Sequence, residues 1–135
     1  MLVFVAGPSC SGKTRLARQW QGVACVHLDK HEGPVQRLAA EFKARDETAI
    51  FEGMLSGRRQ DIEALLELMD ALIVLDAPLP QRMGRVVRRD GPSSLPRFLR
   101  NEFYWHAHNR PILFQGKYDA IRRVTQWEYA SPPKP

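Results

Sequence analysis

Gly7-Pro8-Ser9-Cys10-Ser11-Gly12-Lys13-Thr14 follows directly on the apolar run Leu2-Val3-Phe4-Val5-Ala6. The run is short and continuous, as a buried strand is, and a helix is expected to begin near Lys13. A strand leading into a loop bounded by two glycines, with a helix at the far end, carries the G-x-x-x-x-G-K-T pattern of a phosphate-binding loop. Gly7 and Gly12 admit backbone conformations closed to other residues, so successive N–H groups can turn inward as a nest for phosphate oxygens. The helix adds the positive end of its dipole. Lys13 is expected to reach the β- and γ-phosphates of a nucleotide, and the Thr14 hydroxyl to hold Mg²⁺. All eight residues, Gly7, Pro8, Ser9, Cys10, Ser11, Gly12, Lys13 and Thr14, are therefore candidate nucleotide contacts.

The chain has 135 residues, a length that fits a single domain over 1–135 with a substantial core. No stretch is long enough to cross a bilayer, and the first apolar run ends at Gly7 without the basic start or cleavage pattern of a signal peptide. A soluble, cytoplasmic protein is expected. Of the two cysteines, Cys10 sits inside the loop and Cys25 in a strand expected to be buried, so neither reads as half of a structural disulfide. The net charge of +5 suits a polyanionic partner, either nucleotide or nucleic acid, and equally suits a solvated basic face.

Apolar runs alternate with helical patterns along the chain, which points to βαβ units and a parallel sheet covered on both faces. Strands are expected at about 2–6, 24–28, 48–52, 71–76 and 119–124, giving an α/β, three-layer fold with a five-stranded sheet. Val35, Leu38, Ala39 and Phe42 recur with helical spacing, as do Ile62, Leu65, Leu66 and Met69, and both stripes read as core. A helix over 80–89 is followed by the break Gly91-Pro92-Ser93-Ser94 and a second helix over 95–108; the Pro-rich end, 126–135, continues neither helix nor strand.

In an open parallel sheet, ligands gather at the carboxyl ends of the strands. Past the second strand comes Asp29, past the third Glu52-Gly53, and past the fourth Asp76. Asp29 is the candidate general base for a hydroxyl that attacks a phosphate, with a turn or cap residue as the alternative. Glu52 is a candidate to orient Mg²⁺ or bind the acceptor; a carboxylate that merely bonds the loop is the competing reading. Asp76 reads as a turn residue. Arg82, Arg85 and Arg89 return to nearly one side of a helix, where guanidinium groups can meet spread phosphate charge bidentately. Phe103 reads as core with Leu95, Phe98 and Leu99, leaving Tyr104, Trp105, His106 and His108 as an exposed set able to stack on bases. The four histidines offer no metal site by their placement.

The order of phosphate loop, Asp29 after the second strand, Ile50-Phe51-Glu52-Gly53 at the third, then Leu75-Asp76-Ala77-Pro78 and the R-x-x-R-x-x-x-R-D of 82–90, resembles the uridine kinase and nucleoside/nucleotide kinase-like branch of the P-loop kinases. Arg110-Pro111 and Lys117-Tyr118-Asp119-Ala120-Ile121 are similar to the closing segment of that group, so the resemblance spans residues 1 to about 124. It implies a P-loop kinase fold, ATP and Mg²⁺ as cofactors, Asp29 as base, catalytic help from Lys13, Arg85 and Arg89, and a lid at about 82–100. Kinases of small nucleosides in this group carry a sizeable insertion after the second strand, and here the stretch from Asp29 to Glu52 holds only one short helix. That reduced acceptor region, with the basic charge, suggests a nucleotide-type acceptor within DNA, as for a phage 5-hydroxymethyluracil DNA kinase or a polynucleotide kinase. A kinase of a free nucleoside or nucleoside monophosphate, and a P-loop module or NTPase without an acceptor, are the alternatives.

Overall fold

The computed structural model describes residues 1–31, 33–54, 59–75, 77–114 and 121–124. Five strands, β1 (Leu2–Ala6), β2 (Ala24–His27), β3 (Ala49–Gly53), β4 (Ala71–Leu75) and β5 (Ile121–Val124), form one parallel sheet in the order β2-β3-β1-β4-β5. β1 and β3 are buried along their whole length, as expected of inner strands in a sheet covered on both faces, and in β3 the burial includes the charged Glu52.

Alternation along β1 divides the core. Leu2, Phe4 and Ala6 face one cluster, with Phe51, Val35, Ala39, Ile62 and Leu65. Val3 and Val5 face the other, with Leu16, Ala17 and Trp20. Thus α1 (Lys13–Gln19) covers one face, while α2 (Val35–Ala44) and α3 (Arg59–Leu68) cover the opposite one. The three layers and five parallel strands expected from the sequence are present, with strand ends within two residues of their expected places. β2 is an edge strand, so Cys25 is only part-buried rather than enclosed.

After β4 the chain forms α4 (Leu79–Asp90), a 3₁₀ turn at Pro92–Ser94 and α5 (Leu95–Tyr104). The helix expected over 95–108 does not run on regularly: a π-helical turn at Trp105–Asn109 follows α5, and α6 (Arg110–Phe114) follows that. Phe98, Glu102, Trp105 and Asn109 share the buried side of this continuous helical stretch. Trp105, expected among the exposed rings, is core, at 4% exposure; Phe103 and Leu99, expected in the core, are 65% and 49% exposed. The apolar side chains at 99 and 103 fit the helical period as well as those at 98 and 105 do, and packing selects the second pair. No helix among the described residues is long and apolar enough to cross a membrane. Asp76, the residues 117–120 and the Pro-rich end lie outside the described residues.

Candidate active site

Register brings the strand ends together. Ala6 lies beside Gly53 and Val5 beside Glu52, and His27 is level with Glu52 on the other side. The segments that follow β1, β2 and β3 therefore meet at one edge of the sheet.

The loop after β1 has the geometry its composition implies, with the work divided differently. Gly12 and Cys10 adopt left-handed conformations, at φ 98° and 60°. Gly7 is needed for space: a Cβ there would lie 2.5 Å from Ser11 Oγ and 2.9 Å from the Leu75 carbonyl oxygen. The Ser11 N–H closes the turn onto the Pro8 carbonyl at 3.2 Å, and the Leu16 N–H takes up the Gly12 carbonyl at 2.9 Å as α1 begins. Lys13 is buried and its Nζ donates to the carbonyls of Gly7 and Pro8, both at 2.9 Å. Burial pushes the ammonium below its usual range, against the pull of Asp29 and Glu52. Lys13 is thus a desolvated cation whose hydrogen-bond partners are carbonyl oxygens, and phosphate oxygens would restore the charge stabilisation that water no longer supplies.

Asp29 lies in a 3₁₀ turn at Leu28–Lys30, where its carboxylate accepts the Met54 N–H at 3.0 and 3.3 Å. Gly53 makes this approach feasible, since a Cβ there would lie 2.9 Å from Leu28 Cβ and 3.0 Å from Asp29 Oδ2. Met54 is held from its other side by Asn109, whose buried Nδ2 donates to the Met54 carbonyl. Asn109 thus reaches the Asp29 turn through a single residue, Met54, whose N–H and carbonyl are both engaged. Sequence reasoning missed it, and the only signal was its position on the same helical face as Phe98 and Trp105.

Glu52 is buried beside the loop. Its Oε1 accepts from the Thr14 hydroxyl at 3.0 Å and is also in hydrogen-bond contact with His27 Nδ1. Thr14 and Glu52 form a pair of hard oxygen donors, the type Mg²⁺ prefers. His27 was read only as a strand residue, although its place level with Glu52 follows from the register.

The arginines of α4 divide. Arg85 donates to the Cys10 carbonyl at 3.0 Å, and with Arg89 it lines a cleft of about 400 Å³ that also includes Lys13, Thr14 and Asp29. Arg82 does not join them. At 3% exposure it turns inward, donates to the Ala77 carbonyl at 2.8 Å and forms a two-pronged pair with Glu102 at 2.5 and 2.7 Å. It sits seven residues before Arg89, a separation of about 10 Å along a helix axis. One side of the helix therefore serves the cleft at one end and the core at the other.

Solved structures share this architecture. A sugar kinase from Janibacter sp., solved without ligand, superposes with a TM-score of 0.61 at 19% identity, over 91% of this chain and 83% of that one. Shikimate kinase from Acinetobacter baumannii, in complex with shikimate, gives a TM-score of 0.61 at 14% identity, over 93% and 84% of the two chains. No protein-family model matches the chain, and no curated protein does. The fold is the α/β architecture shared with these two kinases, a parallel sheet flanked by helices.

Proposed function

We propose that the protein is an ATP-dependent phosphotransferase whose acceptor is a hydroxyl group on a free small molecule. The observation that carries this reading is the cleft in which Lys13 and Thr14 of the phosphate loop face Asp29 across from Arg85 and Arg89. A donor half, an acceptor-side carboxylate and two guanidinium cations around one space are the parts that phosphoryl transfer requires.

The residues fit a nucleoside triphosphate with Mg²⁺. Ser11 Oγ is buried without a hydrogen-bond partner among the described residues, Lys13 is a desolvated cation held by carbonyl oxygens, and Thr14 and Glu52 supply hard oxygens. Bound there, Mg²⁺ would draw charge from the phosphate oxygens, with Thr14 and Glu52 among its direct or water-mediated contacts. Lys13 and the inward N–H groups would hold the β- and γ-phosphates. Asp29 would accept the proton of the acceptor hydroxyl as its oxygen bonds to the γ-phosphorus and the bond to the β-bridging oxygen breaks, leaving ADP and a phosphate ester. Arg85 and Arg89 would meet the charge spread over the transferring group, and the segment 82–100 would act as the lid over it.

Both structural neighbours are kinases named for small hydroxylated molecules, a sugar and shikimate, which supports a free acceptor. Phosphorylation of a hydroxyl within DNA is the second reading. It draws on the exposed Phe103, with Tyr104 and His108 beside it at ring distances of 6.1 and 6.3 Å, as a surface on which bases could stack. Binding of a fluorescent ATP analogue, followed beside ADP release, tests the assignment. Lys13→Ala should lose nucleotide binding; Asp29→Asn should keep it and lose transfer by about 10²- to 10⁴-fold. Undiminished transfer in Asp29→Asn would remove Asp29 from the role of base.

A further inference from the structure

A second cavity, about 480 Å³, opens beside the phosphate cleft and shares Ser9 and Arg89 with it. Its size falls in the range that holds a small molecule. It lies among α4, the Pro92–Ser94 turn and α5, with Val86 and Phe98 as a buried apolar floor and Arg97 and Asn101 contributed by α5. The charges around it do not cancel. Arg89 is paired with Asp90 at 2.9 Å, while Arg97 forms no ion pair among the described residues. One positive charge is left over, next to the amide of Asn101 and the hydroxyl of Ser93.

We infer that this cavity is the acceptor pocket, and that it takes a compact polyhydroxylated molecule carrying one anionic group, which Arg97 binds. The assignment rests on the phosphotransfer reading above. Ser9 and Arg89 line both cavities, so an acceptor whose anionic group is held by Arg97 lies beside the phosphate cleft that Asp29 lines, and the assignment requires one of its hydroxyls to reach that cleft. The reaction is then the one already described: the acceptor oxygen gains the γ-phosphoryl group, ADP leaves, and the hydroxyl proton passes to Asp29. A planar fork at Arg97 suits carboxylate and phosphate alike. Asn101 and Ser93 suit hydroxyl groups, and the Phe98 ring offers an apolar face to a carbon skeleton. Arg97 is exposed and on a helix surface, so its replacement leaves the core intact.

The test uses pairs of probes matched except for charge: gluconate against sorbitol, and glucose 6-phosphate against glucose. Dissociation constants are measured by NMR titration on the full chain with ADP present, for the wild type and for Arg97→Gln. In the wild type, at least one anionic probe should bind about tenfold or more tightly than its neutral partner, the scale of one charge-assisted hydrogen-bonded contact. Arg97→Gln should erase that preference while the affinity for an ATP analogue stays the same. Preference for gluconate over glucose 6-phosphate, or the reverse, tells a carboxylate acceptor from a phosphorylated one. Equal binding of charged and neutral partners by the wild type, or a preference that persists in Arg97→Gln, overturns the inference. The ATP analogue separates the two failures: if it binds and the anion preference is missing, the pocket assignment alone falls; if it does not bind, the phosphotransfer reading falls.

Discussion

The Asp29 carboxylate is bonded to Met54, a residue gripped through both of its backbone polar groups. The Met54 N–H binds the carboxylate, and Asn109 binds the Met54 carbonyl. If Asn109 positions Asp29 through Met54, Asn109→Leu lowers kcat by about tenfold or more, the cost of misplacing a reacting group, while the dissociation constant for ATP is unchanged. Steady-state kinetics beside nucleotide titration reads the split, and equal damage to both would mark Asn109 as a purely structural residue. Asp29 was visible in the sequence because a carboxylate directly after an apolar run marks a strand end in an α/β chain. Asn109 was not, because a buried amide inside a helical pattern has the same appearance in sequence as a solvated one. Glu52 stood out for its place in an apolar strand, whereas His27 needed the register to reveal its partner.

At the scale of elements, α4 and α5 are joined by the buried pair Arg82–Glu102, with His106 on Glu102 as well at 2.8 Å. The Arg82 guanidinium holds the Glu102 carboxyl below the usual carboxylate range, assisted by His106 and opposed by burial. A carboxylate whose folded pKa is depressed stabilises the fold fully above its unfolded value, about 4.3, and loses that contribution as pH falls through the folded value. Glu102→Gln should therefore cost about 3 kcal/mol at neutral pH, as expected when one partner of a buried pair is removed. In urea denaturation the gap between wild type and variant should close as the pH is lowered below about 4. A gap independent of pH would mean that the ion pair contributes no stability of its own. Helical spacing placed Arg82 in a row with Arg85 and Arg89, but spacing is blind to what lies opposite each turn. Only the packing of α5 shows that Glu102 faces the first arginine and the cleft the other two.

In the whole molecule, the sheet was the most legible part. The inner strands of a parallel sheet covered on both faces are largely apolar, so β1 and β4 stand out as uninterrupted runs and β3 as an apolar run that ends in Glu52-Gly53. The proposed donor half was legible in the same way, because the loop after β1 is a contiguous pattern of residues. The proposed acceptor half would be assembled from separate elements, and no local pattern encodes such a meeting. Net charge alone suited a polyanion and a solvated basic face equally, and only together with the short acceptor region did it suggest DNA; the inferred pocket at Arg97 favours a compact anionic acceptor instead. The most direct measurement is transfer of label from ATP radiolabelled at the γ-phosphate, with the full chain and Mg²⁺ incubated with anionic polyols, neutral sugars, nucleosides, DNA or no acceptor. The account predicts a labelled phosphate ester on a small hydroxylated molecule, lost in Lys13→Ala; label appearing solely as inorganic phosphate in every incubation would contradict it.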